Sequence, residues 1–217
     1  MSDTLIPDPV REMPKMGLPK RKVRFTVDEY LEMERKADER HIYLDGEIFA
    51  MAGESIPHGH ATVNMIVSLG TQLKGSPCAP FTKDIKVRSG PIPMSGKSRK
   101  GLFSYPDIVV VCGEPEYHDA HQDVILNPKV IVEALSPSTE AFDRGEKFNR
   151  LSEHNPSLSD YLLVAQDKPQ IEHYTRGTDG EWTYRSYKGL DAAVPIPSIG
   201  CNLKLVDVYD RVKFEVE

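Results

Sequence analysis

Two rhythms of apolar residues alternate along this chain, one with a period near 3.6 and one with a period of 2. Thr26 to Glu29, T-V-D-E, has the spacing of a capping box. A helix is predicted from there to about Ala37, with Tyr30, Leu31 and Met33 as its apolar positions. "HIYLDGEIFAMAG" follows as two short apolar strands around Asp45-Gly46, the dipeptide that a tight hairpin turn prefers. Pro57 opens a second helix, in which Val63, Ile66, Val67, Leu69 and then Leu73 have the spacing to pack on a sheet. "FTKDIKVRSG" sets Ile85 and Val87 between Asp84, Lys86 and Arg88, the alternation of a half-exposed strand. Residues 89–104 read as a Gly, Ser, Pro and Lys loop.

"YPDIVVVC", 105–112, is a β-branched run too short for a buried helix and is predicted as a central strand. "KVIVEALSPSTEAFDRGEK", 129–147, begins as another buried strand, and Ser138 or Thr139 then caps a helix to about Glu153. "DYLLVA", "QIEHYTR" and "EWTYRSYK" complete the strands, the last two joined at Gly-Thr-Asp-Gly, and a Pro-rich tail after Ala193 carries one more short apolar segment. The order is that of a mixed α/β protein with helices laid on a central sheet.

Residues 1–24 break both rhythms. They hold four prolines and six basic residues in their second half (Arg11, Lys15, Lys20, Arg21, Lys22 and Arg24), and read as a flexible basic arm before a single domain at 25–217. The whole chain has a formal net charge of −6, which argues against tight non-specific nucleic-acid binding but leaves room for a local basic groove. No apolar stretch approaches the roughly 18 residues of a membrane span, and no signal-peptide segment opens the chain. Cys78, Cys112 and Cys201 are far apart and form no CxxC pair, so reduced thiols and a cytoplasmic location are expected.

Glu133 is the residue that the apolar rhythm does not explain. It sits among Val130, Ile131, Val132, Ala134 and Leu135, where a carboxylate without a partner costs on the order of several kcal/mol. Asp107 heads the other buried strand, and Glu47 follows the Asp45-Gly46 turn. Acids at the ends of strands in one sheet can converge, and they repel unless a cation lies between them. Hard oxygen donors suit Mg²⁺ or Mn²⁺. Such an ion, with a lysine nearby, is the equipment of phosphodiester hydrolysis.

Asp107 after Pro106, with a second acid on the next strand, resembles the PD-(D/E)xK phosphodiesterase superfamily. More closely, "YLDGEIFAMAG", His60 ahead of an amphipathic helix, "YPDIVVV", "VEALSPSTEAFDRGEKF" and "DYLLVA", in that order over residues 26–210, resemble the Uma-two family of restriction-endonuclease-like proteins. The resemblance implies a restriction-endonuclease-like core, a mixed central sheet flanked by helices, and a Mg²⁺-dependent DNA endonuclease. Asp107 and Glu133 fall on the metal-binding acids, and Glu47 matches the N-terminal acid. One position departs: two residues after Glu133, where the superfamily has its lysine, stands Leu135, and residues 134–146 contain no lysine. Lys147, in "DRGEKF", resembles a lysine that has migrated to the following helix, and its stem is long and flexible enough for the role.

His60 is expected as an accessory acid, base or substrate contact. Lys83, Lys86, Arg88, Lys97, Arg99 and Lys100 form the second basic concentration, and these are the candidates for a nucleic-acid groove. His118 and His121 have no further ligands at a zinc spacing, and Ser136 and Ser138 lack a nucleophile elbow. Cutting both strands of DNA takes two sites, so a homodimer is expected. The alternative from another class is a nuclease-derived module that has lost its chemistry and binds DNA or a protein.

Overall fold

The computed structural model describes residues 24–51, 53–91 and 98–214. The expected arm, apart from Arg24, and Lys97 lie outside them. Thr26 caps α1 (Val27–Glu34) with both halves of the capping box in place. The hairpin β1 (His41–Leu44) and β2 (Glu47–Ala50) turns at Asp45-Gly46, both at positive φ, as a primed turn requires. Ser55 caps α2 (Ile56–Gln72), and Pro57 lies in its first turn, where its missing N–H goes unneeded.

The strands that follow are β3 (Cys78–Thr82), β4 (Lys86–Ser89), β5 (Leu102–Ser104), β6 (Ile108–Cys112), β7 (Val124–Ile125) and β8 (Val130–Ala134). A crossover of α3 (Glu140–Phe142), a π-helical turn (Asp143–Lys147) and α4 (Phe148–His154) leads to β9 (Asp160–Val164). After it come β10 (Gln170–Arg176), β11 (Trp182–Lys188), the pair β12 (Ala193–Ile196) and β13 (Cys201–Lys204), and α5 (Leu205–Val208).

One sheet runs β11-β10-β9-β8-β6-β3, with β8 and β9 parallel and the other neighbours antiparallel. A parallel pair needs a crossover, and here the crossover is the helix that carries Lys147. Alternation along β8 sends Val130 and Val132 to one face and Ile131, Glu133 and Leu135 to the other. The first face is covered by Ala61, Met65 and Leu69 of α2; the second packs on Leu151 of α4 and on Leu158. The other sheet runs β2-β1-β5-β4-β7, with α1 packed on it through Tyr30 and Leu31 against Tyr43 and Phe103.

Several expectations are corrected. Leu102–Ser104 is a buried strand, not loop, because it closes the gap between β1 and β4. Lys86 and Arg88 lie on a fully buried strand, since β4 is covered on both faces. The packing stripe of α2 is Ala61, Met65 and Leu69 with Ile66 partly covered, while Val63 and Val67 are 57% and 61% exposed. Cys78 and Cys112 are not free thiols. The register of β3 on β6 makes them direct partners with Cα atoms 3.9 Å apart, and they are joined as a disulfide. Disulfides persist mainly in oxidising compartments, so the cysteines no longer argue for a cytoplasmic location. Among the described residues no helix is long and apolar enough to cross a membrane.

Candidate active site

The site is built where the ladder between β6 and β8 runs out. Its register pairs Ile108 with Val132, so one step further sets Asp107 opposite Glu133. Like charges facing across a ladder destabilise it unless something compensates. Asp107 is held from two sides: its Oδ2 accepts the Ala134 backbone N–H at 2.7 Å, and its Oδ1 lies 3.0 Å from His58 Nε2. His58 belongs to the buried stripe of α2, one turn before Ala61, and this stripe aims its ring at the sheet end. Glu54, one turn further back, is 3.7 Å from the same Nε2 and is ion-paired with Lys83. Glu54, His58 and Asp107 bring three ligand atoms within 4.8 Å of one another.

On the other side of Asp107, Lys147 Nζ lies 2.5 Å from Glu133 Oε1 and 3.3 Å from Asp143 Oδ1. The lysine arrives through the π-helical turn. Such a turn inserts one residue into the helical repeat and re-aims the side chains after it, and π-bulges recur at functional sites. Both Asp143 and Lys147 are thereby buried against the sheet. The Tyr161 hydroxyl donates to the Asp143 carbonyl at 2.9 Å, fastening the turn to β9. Arg144 points the other way and pairs with Glu140 and with Glu172 of β10.

Three carboxylates, Asp107, Glu133 and Asp143, thus face one ammonium. Burial pushes the Glu133 carboxyl well above the usual carboxylate range; Lys147 opposes this, while Asp143 and Asp107 reinforce it. For Lys147 burial acts to lower the pKa, but Glu133 and Asp143 more than offset it and hold the ammonium charged. The cluster thus holds more acids than the single ammonium of Lys147 can pair with. Glu133 Oε1 is buried against the Lys147 ammonium as an ion pair. Three buried hard-oxygen acids set against one ammonium are the donor chemistry a divalent cation requires, so the residues present fit such an ion.

The family description "Uma2: Putative restriction endonuclease" matches residues 27–206. The chain belongs to the Uma2 family. Two relatives from Synechocystis sp. are the "Uncharacterized protein slr1290", 35% identical over 88% of this chain and 94% of that protein, and the "Uncharacterized protein sll1609", 30% identical over 78% and 90%. A crystal structure titled as "a putative nuclease belonging to DUF820", from Anabaena variabilis, superposes with a TM-score of 0.67 at 17% identity. It covers 87% of this chain and 99% of that one, a likeness of fold.

In this Uma2 chain Asp107, Glu133 and Lys147 come together. Glu47 lies half-buried at the start of β2, opposite Leu44, in the other sheet. That hairpin is tied to the crossover, since Arg150 Nη2 of α4 contacts Asp45 Oδ2 at 2.7 Å. The histidine on Asp107 is His58 and not His60. Two residues along a helix turn a side chain to roughly the opposite face, and His60 lines a shallow groove with Gly59 and Arg211.

The basic residues separate. Lys83 reaches the site through Glu54, whereas Lys86 is buried on Asp123 (2.9 Å) and Tyr105. Arg88 is buried against His118 and the Pro91 carbonyl, so neither Lys86 nor Arg88 is a surface contact for nucleic acid. Arg99 and Lys100 are exposed, the latter 3.7 Å from Asp45. The 118–123 loop is an ion-pair network, with Arg35 holding Asp119 and Asp123 at 2.7 and 2.8 Å. Ser136 bonds Ser138 and Thr139 in a turn.

Two site residues escaped the sequence reading, Glu54 and Asp143. Each belongs to an i, i+4 pair, Glu54–His58 and Asp143–Lys147, and that spacing was the available signal.

Proposed function

We propose that this chain is a Mg²⁺- or Mn²⁺-dependent DNA endonuclease whose site is Asp107, Glu133 and Lys147, with Glu47 assisting. The observation that carries the reading is Lys147: a buried lysine delivered from the crossover helix to within 2.5 Å of the acid that stands opposite Asp107. Asp107 and Glu133 would hold the ion. The chemistry a divalent ion supplies there, when bound, is polarisation of a phosphoryl oxygen and activation of water at neutral pH.

The protein groups do the rest. His58 and the Ala134 N–H fix the orientation of Asp107, so that its remaining lone pairs face the site. Asp143 keeps Lys147 charged and aimed, and the ammonium stabilises negative charge building on the phosphate in the transition state. Lys83, Arg99 and Lys100 are the basic side chains left to meet the phosphate backbone. A homodimer would supply the second site that a duplex requires.

A second reading, a binding module without chemistry, draws on Leu135, which occupies the strand lysine's place. Titration of Mn²⁺ into the wild type and Asp107→Ala, beside plasmid nicking by both, separates the two. Binding and nicking that both vanish in the variant support the endonuclease. Binding without nicking favours the module, and a wild type that binds no metal sinks the metal-dependent account.

A further inference from the structure

Helix α2 is apolar on two opposite faces. Ala61, Met65 and Leu69 are buried on the sheet, yet Ile56, Val63 and Val67 are 78%, 57% and 61% exposed. At 100° per residue Ile56, His60, Val63 and Val67 fall in one narrow stripe, nearly opposite the buried one. A surface helix ordinarily carries charge on its outer face. This one has no Asp, Glu, Lys or Arg anywhere in Ile56–Gln72, in a chain that is 28% charged.

Gly59 is a second, independent anomaly. It sits in the helix without a positive φ, and a Cβ there would meet nothing within 4 Å. Glycine costs a helix about 0.5–1 kcal/mol relative to alanine, and among the described residues nothing crowds this position to ask for it. Glycine is the residue that lets another backbone approach closely. Beside it runs the groove between α2 and the chain after α5, floored by His60 and Asn64 and rimmed by Asp210 and Arg211.

We infer that this stripe is the contact between two copies of the chain, paired about a two-fold axis that passes between their α2 helices. An isologous contact must match itself, and an uncharged patch does so without setting like charges together. Interface cores are depleted of charge in the same way. The ridge of Val63 and Val67 and the hole over Gly59 share one helix, so each copy can offer its ridge to the other's hole. Asp210 and Arg211, 3.5 Å apart and exposed, give the rim one charge of each sign. Nucleic acid is the wrong occupant, since a phosphate backbone needs Lys or Arg and the stripe has none. His58 stands on the opposite, buried stripe of the same helix, so contact and candidate site share α2. For its purpose the inference rests on the two-site nuclease reading, but its geometry does not.

The test is the mass of the full chain in solution, by light scattering after size exclusion, with plasmid nicking measured on the same samples. The wild type should be a dimer at micromolar concentration. Val63→Glu/Val67→Glu should weaken it on the order of 100-fold, to a monomer with unchanged far-UV dichroism. Ile56→Lys should act in the same direction, and Gly59→Leu should dissociate the dimer by filling the hole. A monomeric wild type, as expected if another protein covers the stripe, overturns the inference. So does a dimer that survives all three changes, or loss of fold in both charge variants, which would mean that the face is not free. Dimerisation that responds to these variants in a protein that never nicks DNA sinks the nuclease reading and leaves the interface standing.

Discussion

Lys147→Met keeps the length of the side chain and removes its charge, leaving Glu133 buried with Asp107 and Asp143 as neighbours. Breaking a buried pair by deleting one partner typically costs ~3–5 kcal/mol when the other charge stays. Glu133 has a cheaper course, which is to take up a proton. Burial already raises this carboxyl in the wild type, so ~1.36 kcal/mol per pH unit above 4.5 sets only an upper limit on the further loss, ~3.4 kcal/mol at pH 7 and ~1.4 kcal/mol at pH 5.5. The sign follows from linkage. A carboxyl whose folded pKa is raised keeps the stability it confers below its unfolded value and loses it as pH rises toward the folded one. The variant's deficit should therefore be smallest near pH 5 and widen toward pH 8. For a chain of this length ~1 kcal/mol moves Tm by ~2–4 °C, so the ceiling at pH 7 is a fall of ~7–14 °C. Thermal unfolding by circular dichroism in EDTA, from pH 5 to pH 8, reads it directly. Glu133→Gln/Lys147→Met should recover much of the loss, because an amide carries no charge to bury. A deficit that is flat across this pH range, or absent, would refute the buried pair as the reason Glu133 is tolerated.

Other outcomes follow from the same geometry. His58→Ala releases one side of Asp107 and should weaken Mn²⁺ binding, seen by calorimetry, by roughly 10–100-fold, the usual effect of losing an outer-shell partner. Leu135→Lys puts a charge into the cluster of Leu151, Leu158 and Tyr161, and should cost ~2–5 kcal/mol in chemical denaturation. It should also fail to restore nicking in the Lys147→Met background; recovery there would mean that strand and helix lysines are interchangeable. Ellman's reagent should find one thiol, Cys201, in the unfolded but unreduced chain, and three thiols would remove the Cys78–Cys112 bond from the account.

The parts of the fold that were legible are those with local causes. The capping box at Thr26, the turn at Asp45-Gly46 and the helix opening at Pro57 are decided by a few neighbouring residues, and each stands where its spacing puts it. What the pattern missed depends on partners distant in sequence. Lys86 and Arg88 alternate with apolar residues as an exposed strand would. Both are buried, with Lys86 paired to Asp123 beside the Tyr105 hydroxyl and Arg88 held by His118 and the Pro91 carbonyl. The disulfide depends on β3 meeting β6 in one particular register, which a sequence separation of 34 does not reveal. On α2 the periodicity was present twice, and sequence alone could not say which of the two stripes would find the sheet.

For the site the division falls between acids and lysine. Asp107 and Glu133 could be singled out because a carboxylate inside an apolar strand is costly enough to demand a reason, and each strand carried one. Their meeting follows from antiparallel pairing of two runs of equal length. Lys147 is different in kind. Its reach depends on the π-helical turn, and an α-helical count from Thr139 gives no warning that a wider turn occurs in "DRGEK". The parallel pairing of β8 and β9 obliges the chain to cross the sheet just after Glu133. The crossover passes over the face on which Glu133 points, and its π-helical turn aims Lys147 onto that face while Arg144 pairs elsewhere. Leu135, on that same face, is thereby freed to serve the core, and the ammonium reaches the acid from above the sheet and not along the strand.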